Sequence, residues 1–133
     1  MPIHIEWYDQ DQRIMLSTFI GDVGLAEVEE ALATYISHLD SATGTVHSIV
    51  DMRSMGKVEG FTLAELTTLR QLVMHPRVGY TVIVGAQPVV HFVLKVLVQL
   101  FNLRYALFGD VEEGGRYLRE IIRIHGDKRP ESS

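Results

Sequence analysis

The hydrophobic period changes along this chain, and the points of change fix what it can fold into. Ile3, Ile5 and Trp7 alternate with His4, Glu6 and Tyr8, the period-two pattern of a half-buried strand. Asp9 to Gln12 is polar, and Arg13 to Ile20 reads as a second strand that Gly21 closes. The two runs predict an antiparallel hairpin. From Leu25 the period lengthens. Leu25, Val28, Leu32, Tyr35, Ile36 and Leu39 share one helical face, and Glu27, Glu29, Glu30 and His38 take the wet side. Asp22 is placed to cap the start of that helix.

Beyond Gly44, compact apolar runs alternate with helical segments. Val46 to Met52, with Asp51 near its end, predicts a strand inside a sheet. Thr62-Leu-Ala-Glu65 is a capping box that opens a helix with Leu66, Leu69, Leu72 and Val73 inward, stopping before Pro76. Tyr80 to Val84 is a β-branched strand, Pro88 suits the first turn of a third helix, and Tyr105 to Phe108 is a short final strand. Asp110 can cap a last helix whose first turn holds Glu112 and Glu113, although Gly114 and Gly115 weaken it. The resulting order, β-β-α-β-α-β-α-β-α, predicts an α/β fold. Its mixed sheet has about five strands, an antiparallel hairpin followed by parallel strands, with four helices.

Composition narrows the functional classes. A chain of 133 residues fits one domain, expected over residues 1–125 with a polar C-terminal tail over 126–133. There is no cysteine, so thiol chemistry and disulfides are excluded. The net charge of −5 and the scattered basic residues oppose nucleic-acid binding. The start of the chain lacks a secretory signal pattern. The longest apolar stretch, Val89 to Leu103, is interrupted by His91, Lys95, Gln99 and Asn102 and falls short of the ~20 residues of a membrane span. A cytoplasmic protein without a cofactor is expected.

Candidate sites are few. His4, His38, His47, His75, His91 and His125 show no HxxxH or HxH spacing, so no metal is expected. No nucleophile elbow, Walker loop or dinucleotide fingerprint occurs. Asp51 and Glu59, near the carboxyl end of a central strand, are the residues an enzymatic reading would use. Arg53, Lys57 and Arg77 are expected at that same sheet end. In the third helix the polar residues form one stripe roughly 80° wide, and everything else is apolar. Either neighbouring elements cover that helix on three sides, or a flank through Phe92, Val96 and Leu103 meets a second subunit, a partner or an apolar ligand.

Ser48-Ile-Val-Asp-Met52, Tyr80-Thr-Val-Ile-Val-Gly85 and Tyr105-Ala-Leu-Phe-Gly-Asp-Val-Glu-Glu113, each leading toward a helix, make the chain resemble the STAS domain. This is the domain of SpoIIAA-like anti-sigma-factor antagonists, with a related STAS- or Sec14-like branch of no agreed activity. The resemblance implies a non-enzymatic regulatory module working through protein–protein contact. Its implied surface is Glu59, Gly60, Phe61 and Thr62 at the second-helix start, with Phe92, Val96 and Leu103 on the third, compatible with a homodimer. Regulated members carry a phosphorylatable serine in an Asp-Ser-Ser-Gly-like turn. Here that turn falls on Val58 to Thr62, with Glu59 in the aspartate's place and Gly60 in the serine slot. The standard phosphoserine switch is therefore missing, and Thr62 and then Ser54 remain as phosphorylation candidates. The alternatives are a small apolar-ligand or lipid-binding module of Sec14-like type, with a pocket between the sheet and the third helix, and an enzyme using Asp51 or Glu59.

Overall fold

Nine elements follow the expected order in the computed structural model, which describes residues 3–59 and 70–125. They are β1 (Ile3–Trp7), β2 (Ile14–Gly24), α1 (Leu25–Ser41), β3 (Val46–Glu59), α2 (Arg70–Val73), β4 (Val78–Val84), α3 (Pro88–Phe101), β5 (Tyr105–Phe108) and α4 (Val111–His125). The sheet runs β1-β2-β3-β4-β5, with β1 antiparallel to β2 and every later pair parallel. Asp9 fixes the hairpin turn: its Oδ1 accepts from the backbone N–H groups of Arg13 and Ile14 at 3.0 and 3.1 Å.

Sequential strand order has a consequence for the layers. The crossovers β2-α1-β3, β3-α2-β4 and β4-α3-β5 all step in one direction, so right-handed connections lay their helices on one face. Packing agrees. Tyr35 and Leu39 of α1 join Met15, Val46 and Val78 in one core cluster, while Val90 and Leu94 of α3 join Ile3, Val23, Met55 and Ile83 in another. The opposite face belongs to α4, whose Leu118 packs against Ile14, Ile49, Val82 and Val84.

Two strands run well past their expected ends. β2 continues past Gly21 to Gly24, and β3 continues past Met52 to Glu59, pairing Ile20 with Ser54 and Val23 with Val58 across two irregularities. The polar sequence of Arg53 to Lys57 hides this, because the backbone ladder to β2 and not side-chain pattern makes it a strand. Asp22 consequently does not cap α1, whose N-cap is Gly24 with no side-chain bond. It accepts instead from the Lys57 N–H at 2.8 Å. The capping box at Thr62 lies outside the described residues. Asp110 does cap α4, accepting from the Glu113 N–H at 2.8 Å.

The α4 face is tightly filled. Gly114 and Gly115, which weaken α4 by propensity, are buried. A Cβ on Gly114 would stand 2.6 Å from Val82 Cγ1, so its smallness lets the helix settle onto the sheet. His47 is also buried here, 1% exposed, and its Nδ1 accepts from the Tyr80 N–H at 2.9 Å. Nε2 therefore carries the proton of the neutral ring, and it has no partner among the described residues. Burial, reinforced by the charges of Arg13 and His125 against a weaker opposing pull from Asp9, pushes its pKa down to about 4.

Two outcomes follow. Gly114→Ala should lower the unfolding free energy by ~1–2 kcal/mol in urea titrations, because the clash with the stiff, fully buried Val82 outweighs the gain of ~1 kcal/mol in helix propensity. For His47 the folded state disfavours the proton, so as pH falls the unfolded chain takes it up first, near the ordinary histidine value of 6.5. Stability should fall from there to about pH 4 and flatten below, with a loss from this residue of ~2 kcal/mol by roughly pH 5. His47→Gln should remove that part of the pH dependence.

Candidate functional site

Among the described residues, the α1/α3 side of the sheet leaves open space. An apolar cavity of about 420 Å³ lies between the sheet, α1 and α3. Its floor includes Ile5, Phe19, Val50 and Ile83, and its helical walls include Leu32 of α1 and Leu94 of α3. Two features of the sequence open it. The inward strand positions Ser17, Ser48 and Thr81 carry small side chains where Val or Ile would reach upward. Meanwhile α3 makes no close backbone approach to any strand comparable to that of α1 or α4. It is fastened at its start by Gln87, whose Nε2 donates to Met55 O at 2.8 Å and to Gly56 O at 3.2 Å. Asn102, at φ 57°, ends it.

The polar groups of the cavity are all uncharged among the described lining residues. Ser48 and Thr81 are direct partners across β3 and β4, and Ser17 stands one residue pair further along the same face. Ser17 and Ser48 are each 5% exposed. Tyr35, also 5% exposed, lines the cavity from α1, and its hydroxyl has no hydrogen-bond partner among the described residues. Burial pushes the Tyr35 hydroxyl pKa up, so it is a neutral donor under ordinary conditions. None of these four residues was a candidate from the sequence. The signal was present in Ser17 and Ser48, hydroxyls at strand positions whose period demands an apolar residue.

The third-helix candidates separate. Phe92 is 53% exposed and also lines the cavity, as does Val89, so the two mark where the cavity meets solvent. Val96 is half-buried. Leu103 packs against the cluster of Val90 and Leu94, and so does not share an exposed flank with Phe92. Leu100, not singled out beforehand, is exposed and completes a Val89-Phe92-Val96-Leu100 stripe at helical spacing. At the other proposed surface, Glu59 ends β3 opposite Gly24, while Gly60, Phe61 and Thr62 lie outside the described residues. Ser54 is exposed on β3.

The expected cluster of basic residues does not form. Arg77 lies at the opposite end of the parallel strands from Arg53, donating to the carbonyls of Leu39 and Asp40. Asp51 is closed in a bidentate pair with Arg53, at 3.0 and 2.9 Å, and also accepts the Arg53 N–H. The Arg53 hydrogen bonds hold its carboxyl below the usual carboxylate range. A carboxylate held ionised in this way is a poor proton donor near neutrality. Among the described residues no three His, Asp or Glu side chains come together to hold a metal, and no helix is long and apolar enough to cross a membrane.

The fold has known counterparts. A crystal structure of an uncharacterised protein of the DUF3478 family with a SpoIIAA-like fold, from Shewanella loihica PV-4, superposes with a TM-score of 0.60 and 17% identity, over 87% of this chain and 91% of that one. The anti-sigma-factor antagonist SpoIIAA in its unphosphorylated form gives 0.52 at 15% identity, over 93% and 98%. The Bacillus cell fate determinant SpoIIAA in its phosphorylated form gives 0.56 at 13%, over 86% and 98%. No protein-family model matches the sequence, and no curated protein does. The chain thus has the SpoIIAA-like, STAS-type α/β fold.

Proposed function

We propose that this chain is a non-catalytic binding module whose cavity takes up one small apolar molecule. The observation that carries this reading is the cavity itself. Its volume of about 420 Å³ falls within the size range of small-molecule sites, and such sites combine apolar walls with a few polar groups as this one does. A domain built only for contact at its surface gains nothing from leaving this space unfilled, since each void forfeits packing contacts. The Sec14-like alternative is accordingly preferred to the pure protein-contact reading. Asp51, held in its pair with Arg53, gives the enzymatic reading no support.

A second reading, regulation through a protein partner, is favoured by a separate observation: the exposed apolar stripe of Val89, Phe92 and Leu100 on α3. The anti-sigma-factor antagonist among the fold's counterparts suggests the same kind of role, and a second copy of the chain is one occupant of that stripe. With glycine in the serine slot at position 60, control would not run through the standard phosphoserine.

Diphenylhexatriene, a hydrocarbon dye that fluoresces only in apolar surroundings, tests the first reading. About one dye per chain should bind the folded protein, and Val50→Trp, which fills the cavity from its floor, should weaken binding by roughly tenfold or more. Absence of dye binding by folded protein would sink the reading. The second reading expects a concentration-dependent dimer in light scattering that Phe92→Asp reduces to monomer; a monomeric mass throughout rules out self-association.

A further inference from the structure

The cavity is polarised along the strands, and this specifies its occupant more narrowly. At the end where β3 and β4 begin, the register brings Ser48 beside Thr81, one register shift on from the Val46–Val78 pairing against which Tyr35 packs. At the other end, where the parallel strands finish and α3 starts, the described lining residues are Met55, Val58, Val89 and Phe92, with no hydroxyl among them. A buried hydroxyl with no partner is a cost to the fold unless something else satisfies it. Tyr35 carries that cost at 5% exposure. Neither Ser48 nor Thr81 makes a side-chain hydrogen bond to another described residue. Phenylalanine would occupy position 35 without any unpaired group.

We infer that the occupant is a single-chain amphiphile with an uncharged, hydrogen-bond-accepting head, such as the carbonyl of an ester, seated against Tyr35, Ser48 and Thr81. Its tail runs beneath α3 toward Val89 and Phe92. This rests on the cavity being a binding site. The head must be uncharged because no described lining residue is ionisable except the tyrosine, which burial holds neutral. A carboxylate or phosphate brought there would lose its hydration without meeting a cation. The head must accept because the Tyr35 hydroxyl lacks an acceptor, whereas the serine and threonine hydroxyls can either donate or accept.

Displacement of diphenylhexatriene by three ligands of equal chain length separates these points: methyl decanoate, decane and decanoate at neutral pH. Methyl decanoate should bind about tenfold more tightly than either of the others, the increment of one buried hydrogen bond. Tyr35→Phe should bring the ester down to the level of decane measured on the same variant, about a tenfold loss, while the thermal midpoint holds or rises. Ser48→Ala provides a second variant, with a smaller loss in the same direction. Equal affinities for ester and decane in the wild-type chain, a preference for decanoate, or an ester affinity indifferent to Tyr35→Phe would overturn the inference while leaving the cavity reading intact. Failure of the dye itself to bind removes both.

Discussion

The parallel pairing of β2 with β3 is the constraint on which the rest of the molecule depends. It runs from Ile14 opposite His47 to Gly24 opposite Glu59, beyond the stretch where either strand has an apolar pattern of its own. One end is set by the β1–β2 hairpin, whose turn Asp9 closes from its side chain. At the other end the extension delivers the chain into α1 at Leu25, immediately after the last ladder pair. Position and direction of α1 therefore follow from a backbone ladder and not from a side-chain cap, which is why Asp22 is free to receive the Lys57 N–H across the two strands. With α1 placed, one-way stepping of the sheet puts α3 on the same side and leaves the other face to α4.

Much of this was legible in the sequence where side-chain period carries the information. The order of elements, the hairpin, the Pro88 start of α3 and the Asp110 cap of α4 are all written in residues that act locally. The extensions of β2 and β3 were not legible, because Arg53, Ser54 and Lys57 have no strand pattern and owe their conformation to a partner distant in sequence. Arg77 misled for a related reason. Its position just after a helix says nothing of which sheet end it occupies, and its carbonyl partners at Leu39 and Asp40 come from α1. The cavity was half legible. The excess apolar arc of α3 announced that something must cover it, but the hydroxyls of Ser17, Ser48 and Thr81 gain meaning only once the register lines them up on one floor.

The two faces solve the same packing problem in opposite ways. On the α4 side, Gly114 removes a side chain so that the helix backbone can approach Val82. His47 and Tyr80 then fill the remaining space, their rings stacked at 6.1 Å between centroids. On the α1/α3 side the small residues are on the sheet instead, and the helix does not descend to meet them. Small residues on a helix close a gap; small residues on a strand beneath a distant helix leave one. SpoIIAA-like counterparts at 13–17% identity share the scaffold, and fold alone does not carry function between them. Function is to be sought in the chemistry of this chain's own floor.

That α3 does not descend has a mechanical cause. It spans 14 residues, about 21 Å at the helical rise, and both abutments are fixed. Gln87 ties its beginning to the Met55 and Gly56 carbonyls of β3, and just past its end the Arg104 carbonyl receives the Thr81 N–H. A stiff beam supported at its two ends cannot sag into the space below without breaking one of its supports. Among the described residues, these supports hold α3 above the space at both of its ends. A guest arriving there does not have to build its own room, and the part of its binding free energy that would have gone into opening the protein is left to hold the guest.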